Sequence, residues 1–363
     1  MKKILTFFVV LITIFLNNCA KPNEPVKINK ILKISSYYPT IGYARDIDVK
    51  DSLLYIAEDQ SGFSIYNYLS DSLLCHYTSL IDNAFLISAV KEYNRLFVYD
   101  RYGSPPSIKI YDITDISDPL ILPSITTETT GIRAMKVYFD GTGYIISFTS
   151  NDGGEHKFKI GKYDGFYFTS LISFEQYDYE LHGFDIYDNY VYLCNEQIGL
   201  NVSDTISGET KNIINTSGVA LDVKVVNNYA FVADKEAGFS IIDVQNIESA
   251  KVIFSTDTEG YAQSIDVEGK YLAVGSGGGG VYLYDISDVN NPQFLDQISA
   301  DEIGYTYKVI IKNDIIFAAT KRGVYKLLIQ YWEMSFVLRL RSGRLAQDDS
   351  FKFKVTVTKP SKF

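Results

Sequence analysis

The chain has 363 residues, 46% of them hydrophobic, enough to bury a substantial core as one large or two ordinary domains. A net charge of −10 and a pI near 4.9 argue against a general nucleic-acid binder, whose phosphate contacts need a basic face. The 29 tyrosines and 22 phenylalanines favour strands, because such side chains suit a half-buried pleated surface. Cys19, Cys75 and Cys194 show no CxxC spacing, so neither a zinc site nor a redox motif is expected. Cys75 and Cys194 sit in strand-like segments of different repeats and read as two buried free thiols. A disulfide between them is the alternative in an exported protein.

The chain opens with Met1-Lys2-Lys3, a short positive region, followed by the apolar run Ile4 to Leu16. That run has the length of a signal-peptide core and is short for a membrane span. It ends in Leu16-Asn17-Asn18-Cys19, which resembles the lipobox of bacterial lipoproteins. The resemblance implies a signal peptide over 1–19 and a lipidated Cys19 anchoring the protein to a membrane of the cell envelope. Ala20-Lys21 follows, with no aspartate of the kind that retains some lipoproteins at the inner membrane, so the outer membrane or cell surface is expected. Residues 20–29 are polar with two prolines and read as a tether.

From residue 30 to 330 the chain repeats one unit. Aligned on the apolar residue closing the first strand, the units are anchored at Val49, Val90, Val137, Ile186, Val225, Val267 and Ile311, at spacings of 41, 47, 49, 39, 42 and 44 residues. This period is that of a four-stranded propeller blade. A second strand follows each anchor: Leu53–Ala57, Leu96–Tyr99, Tyr144–Ser147, Tyr190–Cys194, Tyr229–Ala233, Tyr271–Val274 and Ile315–Ala319. A loop, usually ending in glycine, leads to a third, as at Gly62–Tyr66, Gly238–Ile242 and Gly280–Tyr284. The third strand often ends in a turn such as Asp112 to Pro119 or Asp285 to Asp288, where Asp and Ser bond their own backbone. The third repeat is the weakest, with Asn151-Asp152-Gly153-Gly154 reading as an expanded loop. The strand-like Ile31–Ser35 precedes the first unit, and the last unit lacks an outer strand, so this segment is expected to close the ring.

The Asp-Val first strand, the Tyr-x-x-Val-Ala-Asp second strand, the Gly-Phe-x-Ile-x-Asp third strand and the Asp-Ile-Ser-Asp turn resemble the LVIVD repeat of bacterial and archaeal surface proteins. The resemblance is sharpest near residues 43, 218 and 260 and implies a β-propeller. The expected fold is therefore all-β, a single propeller of seven blades with four antiparallel strands each, closed by an N-terminal strand. Residues 331–363 break the pattern with a net charge of +4 and two alternating runs that read as a β-hairpin.

Catalysis needs convergent acids, bases or nucleophiles, and the sequence offers no HExxH, GxSxG or P-loop. The run Gly275 to Gly280 joins two strands and reads as a hairpin loop, not a phosphate cradle. Acidic pairs such as Glu58-Asp59 lack the oxygen density calcium requires and read as turn formers. No metal and no cofactor is implied. The candidate site is the channel mouth. Four residues before each anchor stand Arg45, Leu86, Arg133, His182, Leu221, Gln263 and Tyr307, followed by Asp46, Ile87, Ala134, Gly183, Asp222, Ser264 and Lys308. Of these Arg45, Asp46, Arg133, His182, Asp222, Gln263, Ser264, Tyr307 and Lys308 are the candidate binding residues, suited to a small polar or anionic ligand or a partner's side chain. The expected protein is a monomeric, non-catalytic scaffold for an envelope protein or an extracellular polymer. The alternative is an envelope enzyme acting on a sugar or small polar substrate, with Asp46 or Asp222 paired with His182.

Overall fold

A computed structural model describes residues 31–126, 129–175 and 179–330, and the expected signal peptide, Cys19, tether and C-terminal hairpin lie outside them. The described residues form 28 strands in seven four-stranded antiparallel sheets. The blades run Asp46–Tyr77, Ala84–Ile125, Ile132–Glu175, Leu181–Ile214, Asp222–Thr256 and Ser264–Ile298, numbered 1 to 6, and blade 7 is Thr306–Ile329 plus Leu32–Pro39. The fold is a seven-bladed propeller.

Its core is divided into seven apolar clusters, each filled from two successive blades. Tyr55 and Phe63 of blade 1 meet Leu96 and Tyr111 of blade 2, and Phe239 of blade 5 meets Leu272 and Tyr284 of blade 6. Each sheet thus buries both faces, so second strands such as Leu53–Ala57 and Tyr271–Gly275 are buried at every position. A sheet that needs a neighbour on either side reaches full burial only in a ring.

The ring closes as expected. Leu32–Pro39 pairs antiparallel with Gly323–Ile329, from Leu32 opposite Ile329 to Pro39 opposite Gly323. Leu32 enters the cluster between blades 6 and 7, and Tyr38 the one between 7 and 1. The closing strand is also pinned laterally. The Tyr38 and Ser36 hydroxyls donate to the two carboxylate oxygens of Asp71 in blade 1, each at 2.5 Å, and Lys326 Nζ lies 3.0 Å from the same group.

Two sequence expectations are corrected. Blade 3 has no expanded loop: Tyr144–Asp152 and Glu155–Tyr163 are nine residues each, and Gly153-Gly154 is a two-residue turn. Both glycines have positive φ, 58° and 88°, as a tight turn matching strand twist requires. His156 consequently stands on a strand, its Nδ1 3.0 Å from Asn151 Oδ1. In blade 2 the residue equivalent to the other anchors is Ala89, not Val90, because the turn that follows is lengthened by a short 3-10 segment, Lys91–Tyr93. Ala89 N–H bonds Asp48 as Val225 N–H bonds Asp185 and Ile311 N–H bonds Asp266. A slip of one residue moves side chains to the opposite face, so Phe85 and Leu86 take the mouth positions in place of Leu86 and Ile87.

Cys75 and Cys194 are free, buried thiols in blades 1 and 4. Burial pushes the Cys75 thiol up to about 11 and holds Cys194 well above its ordinary value, so both stay protonated.

Candidate functional site

The inner strand of each blade has one edge with no strand beside it, so N–H groups facing the channel need other acceptors. Carboxylates of the preceding blade supply them. Asp46 accepts from Ile87 N–H at 2.9 Å and Asp48 from Ala89 N–H at 2.9 Å. Asp185 serves Val225, Asp222 serves Ile265, and Asp266 serves Ile311, at 2.8, 3.3 and 2.8 Å. Ser264 Oγ takes the same role toward Val309 N–H at 3.3 Å. Asp recurs in the first strand because each sheet edge needs an acceptor from its neighbour.

Those carboxylates bring charge into the channel, and lysines answer most of it. Lys136 Nζ lies 2.6 Å from Asp185, Lys224 Nζ 3.3 Å from Asp266, and Lys308 Nζ 2.9 Å from Asp222. Burial pulls the Lys308 ammonium down, but Asp222 and Asp46 outweigh it and hold it above the usual lysine range. Asp46 has no ion pair among the described residues. Burial pushes its carboxyl up to about 6 against the pull of Lys308. Three of the candidate residues, Asp222, Lys308 and Asp46, are thus brought together.

The positions one step nearer the mouth behave differently. Arg45 Nε donates to Asp59 Oδ2 at 2.9 Å, and its guanidinium lies 5.2 Å from the Tyr43 ring centroid and 4.7 Å from that of Tyr307. Tyr305 packs against Tyr307 with ring centroids 5.1 Å apart and planes tilted by 50°, and Lys321 Nζ lies over Tyr43 at 5.1 Å. Arg133, on blade 3, reaches Glu180 at 2.9 Å, and its Nε and the Nε2 of His182 are buried without a hydrogen-bond partner among the described residues. Burial and then the Arg133 charge push the His182 imidazole down to about 4, so it is neutral at pH 7. Gln263 is held by its backbone, N–H to Gly275 O at 2.8 Å. No hydrogen bond joins His182 to Asp46 or Asp222, whose carboxylates are engaged by the Ile87 and Ile265 N–H groups and, for Asp222, by Lys308. Sequence reasoning missed Tyr43, Tyr305, Lys321, Arg101 and Phe85. All but Phe85 lie in the connections between strands and carry no repeat signal; Phe85 was hidden by the slipped alignment of blade 2.

One cluster in blade 1 imitates a catalytic triad. Ser64 Oγ is 3.0 Å from His76 Nδ1, and that same nitrogen is 3.8 Å from Glu58 Oε1. A triad needs the acid and the nucleophile on opposite imidazole nitrogens. Here both face Nδ1, and Ser64 is only 1% exposed. Blade 5 repeats the arrangement with Asp234, Ser240 and Ser255: Ser240 Oγ donates to Asp234 at 2.5 Å and lies 2.9 Å from Ser255 Oγ. The register is the same, Ser64 opposite His76 and Ser240 opposite Ser255. In both blades a serine hydroxyl hydrogen-bonds a buried carboxylate, a structural role that needs no nucleophile. His76→Ser, which copies blade 5, is expected to cost under about 1 kcal/mol by denaturant midpoint. A loss of several kcal/mol would give His76 a further role. Among the described residues no group of three or more His, Cys, Asp or Glu is placed to hold a metal ion.

The LVIVD repeat family model matches residues 41–65, 217–258 and 259–298, which fall on blades 1, 5 and 6. No curated protein sequence matches the chain. Among solved structures, the computationally designed Ika8 protein is similar with a TM-score of 0.61 at 11% identity, covering 80% of this chain and 98% of its own. A chain of the mitotic checkpoint complex gives a TM-score of 0.66 at 12% identity, covering 86% of this chain and 97% of its own. Identities this low carry the fold and nothing more. The chain holds LVIVD repeats within a seven-bladed propeller, which fits a binding scaffold in general terms.

Proposed function

We propose that the protein is a lipid-anchored scaffold of the cell envelope, a monomer that presents its channel mouth to another envelope protein or to an extracellular polymer. The observation that carries this reading is the direction in which the chain leaves the ring. Inner strands begin at the mouth, so the third strand of blade 7 ends at the opposite face, where Gln330 N–H bonds Ile31 O at 2.8 Å. Ile31, the first described residue, therefore lies on the face away from Arg45, Tyr307 and His182. Residues 20–30 span at most roughly 40 Å when extended. An acyl-modified Cys19 would tether the protein to lipid through the end of the chain that enters at the far face, leaving the mouth free for a partner at the outer membrane or cell surface. Stable attachment requires more than one acyl chain, as lipobox cysteines carry.

A photo-crosslinker placed in intact cells at Tyr43, on the mouth, is expected to capture an envelope partner or polymer. The same probe at Asn227, in a turn on the far face, is expected to capture lipid or nothing. The triple change Arg45→Ala, Arg133→Ala and His182→Ala should abolish capture from the mouth, and Cys19→Ser should release the protein from membranes. Equal capture from both faces, or undiminished capture by the triple variant, would sink the proposal.

A further inference from the structure

Resting on that reading, we infer that the mouth binds a carboxylated polysaccharide and that Arg45 is its fixed carboxylate fork. In a chain of net charge −10, several cations at the mouth lie over aromatic rings. Arg45 lies over Tyr43 and Tyr307, Lys321 over Tyr43, and Arg101 over Phe85 at 4.5 Å and Tyr102 at 5.5 Å. These pairs belong to blades 1, 7 and 2. Positive charge distributed around a rim suits a repeating acid better than a single small anion.

Arg45 is held on three sides. Its Nε is tied to Asp59, which also accepts from Asn83 Nδ2, and its plane is flanked by two tyrosine rings. Tyr305 supports this stack from behind and itself lies against Gly277, where a Cβ would come within 2.8 Å of the ring. The terminal Nη groups make no hydrogen bond among the described residues and are left to face the ligand. A guanidinium fixed in this way offers two parallel N–H groups to a carboxylate with little ordering left to lose on binding.

Polysaccharide is favoured over acidic peptide by what the mouth lacks. A peptide docking as an added strand needs a free sheet edge, and the inner edges here are already capped by Asp46, Asp48, Asp185, Asp222 and Asp266. What remains exposed are tyrosines, Tyr102 at 64% and Tyr261 at 46%, flat apolar faces with a hydroxyl at the tip. Such rings meet both the C–H faces and the hydroxyls of a sugar. The cavity of about 570 Å³ between blades 4 and 5 is lined by Glu196 and Glu236, which would repel a polyanion from that sector.

The test uses the full chain in detergent with three probes: polygalacturonate, its neutral methyl ester, and polyglutamate. Polygalacturonate is expected to bind at least about tenfold more tightly than either of the others. Arg45→Lys keeps the charge and loses the fork, and should weaken that binding about tenfold. Lys270→Met removes a cation–ring pair on the far face, Lys270 over Tyr271, and should leave binding unchanged. A melt of each variant checks folding; if Arg45→Lys is unstable, Lys321→Met is the second probe and should also weaken binding. Equal binding of polyglutamate, or of polygalacturonate by Arg45→Lys, would overturn the inference. So would a mouth that captures a partner in cells yet ignores polygalacturonate, an outcome that leaves the proposed scaffold role standing.

Discussion

Deleting residues 31–39 is expected to lower the melting temperature by about 10 °C or more, or to abolish soluble protein, measured by calorimetry on the full chain lacking only that strand. Leu32 and Tyr38 are each 1% exposed, and they fill different inter-blade clusters. Losing large buried side chains costs about 2–5 kcal/mol apiece, so the pair alone rivals the total margin of about 5–15 kcal/mol that holds a typical domain folded. The deletion also bares the edge of Gly323–Ile329, a strand able to pair with a second chain, so aggregation should accompany the lower melt. Asp71→Ala isolates the lateral clamp, leaving Tyr38, Ser36 and Lys326 without their shared acceptor, and should cost a smaller amount, about 1–3 kcal/mol. Adding a peptide of residues 31–39 to the deleted protein should restore part of the melt. An unchanged melting temperature on deletion would mean the ring does not depend on this strand.

The closing strand was legible because a missing outer strand at one end and a spare strand at the other are both visible in the pattern. The same holds for the blades, whose period survives wherever apolar residues alternate with turn formers. It failed where the pattern was locally degenerate. Ala89 and Val90 are both apolar, so alignment on hydrophobicity alone had no means of choosing between them, whereas the hydrogen bond from Ala89 N–H to Asp48 does choose. Blade 3 looked loose because Gly153-Gly154 was read as slack, when two positive-φ residues are what a tight turn between long strands demands. The inner-strand half of the mouth was largely readable, since inner-strand positions follow from the anchors. Tyr43, Lys321 and Tyr305 were not, because they stand in connections, where nothing in a repeat constrains the residue type and only the folded geometry brings them onto Arg45 and Tyr307.

The channel charges give a second large effect, with a pH dependence of definite sign. Asp46 has a folded value of about 6 against an ordinary aspartate value of 3.8, so the folded state holds its proton more tightly than the unfolded chain does. The stability this contributes is fully present below 3.8 and is lost as pH rises through about 6, a difference of about 3 kcal/mol. Asp46→Asn keeps an oxygen for Ile87 N–H and removes the buried charge, so it should be more stable than the parent by about 1–3 kcal/mol at pH 8 and show no gain at pH 4. Lys308→Met acts in the opposite direction. It strips Asp222 of an ammonium 2.9 Å away and removes the cation that opposes the upward shift of Asp46. Breaking a partly enclosed pair from one side should cost about 3–5 kcal/mol at pH 8, shrinking as the carboxylates take up protons toward pH 4. The double variant Lys308→Met with Asp46→Asn should recover part of that loss, because only Asp222 then remains uncompensated. Denaturant midpoints of the four proteins across this range decide the matter. If Asp46→Asn is less stable than the parent at pH 8, Asp46 has a partner that offsets its burial, and the channel is not the strained electrostatic ring these distances describe.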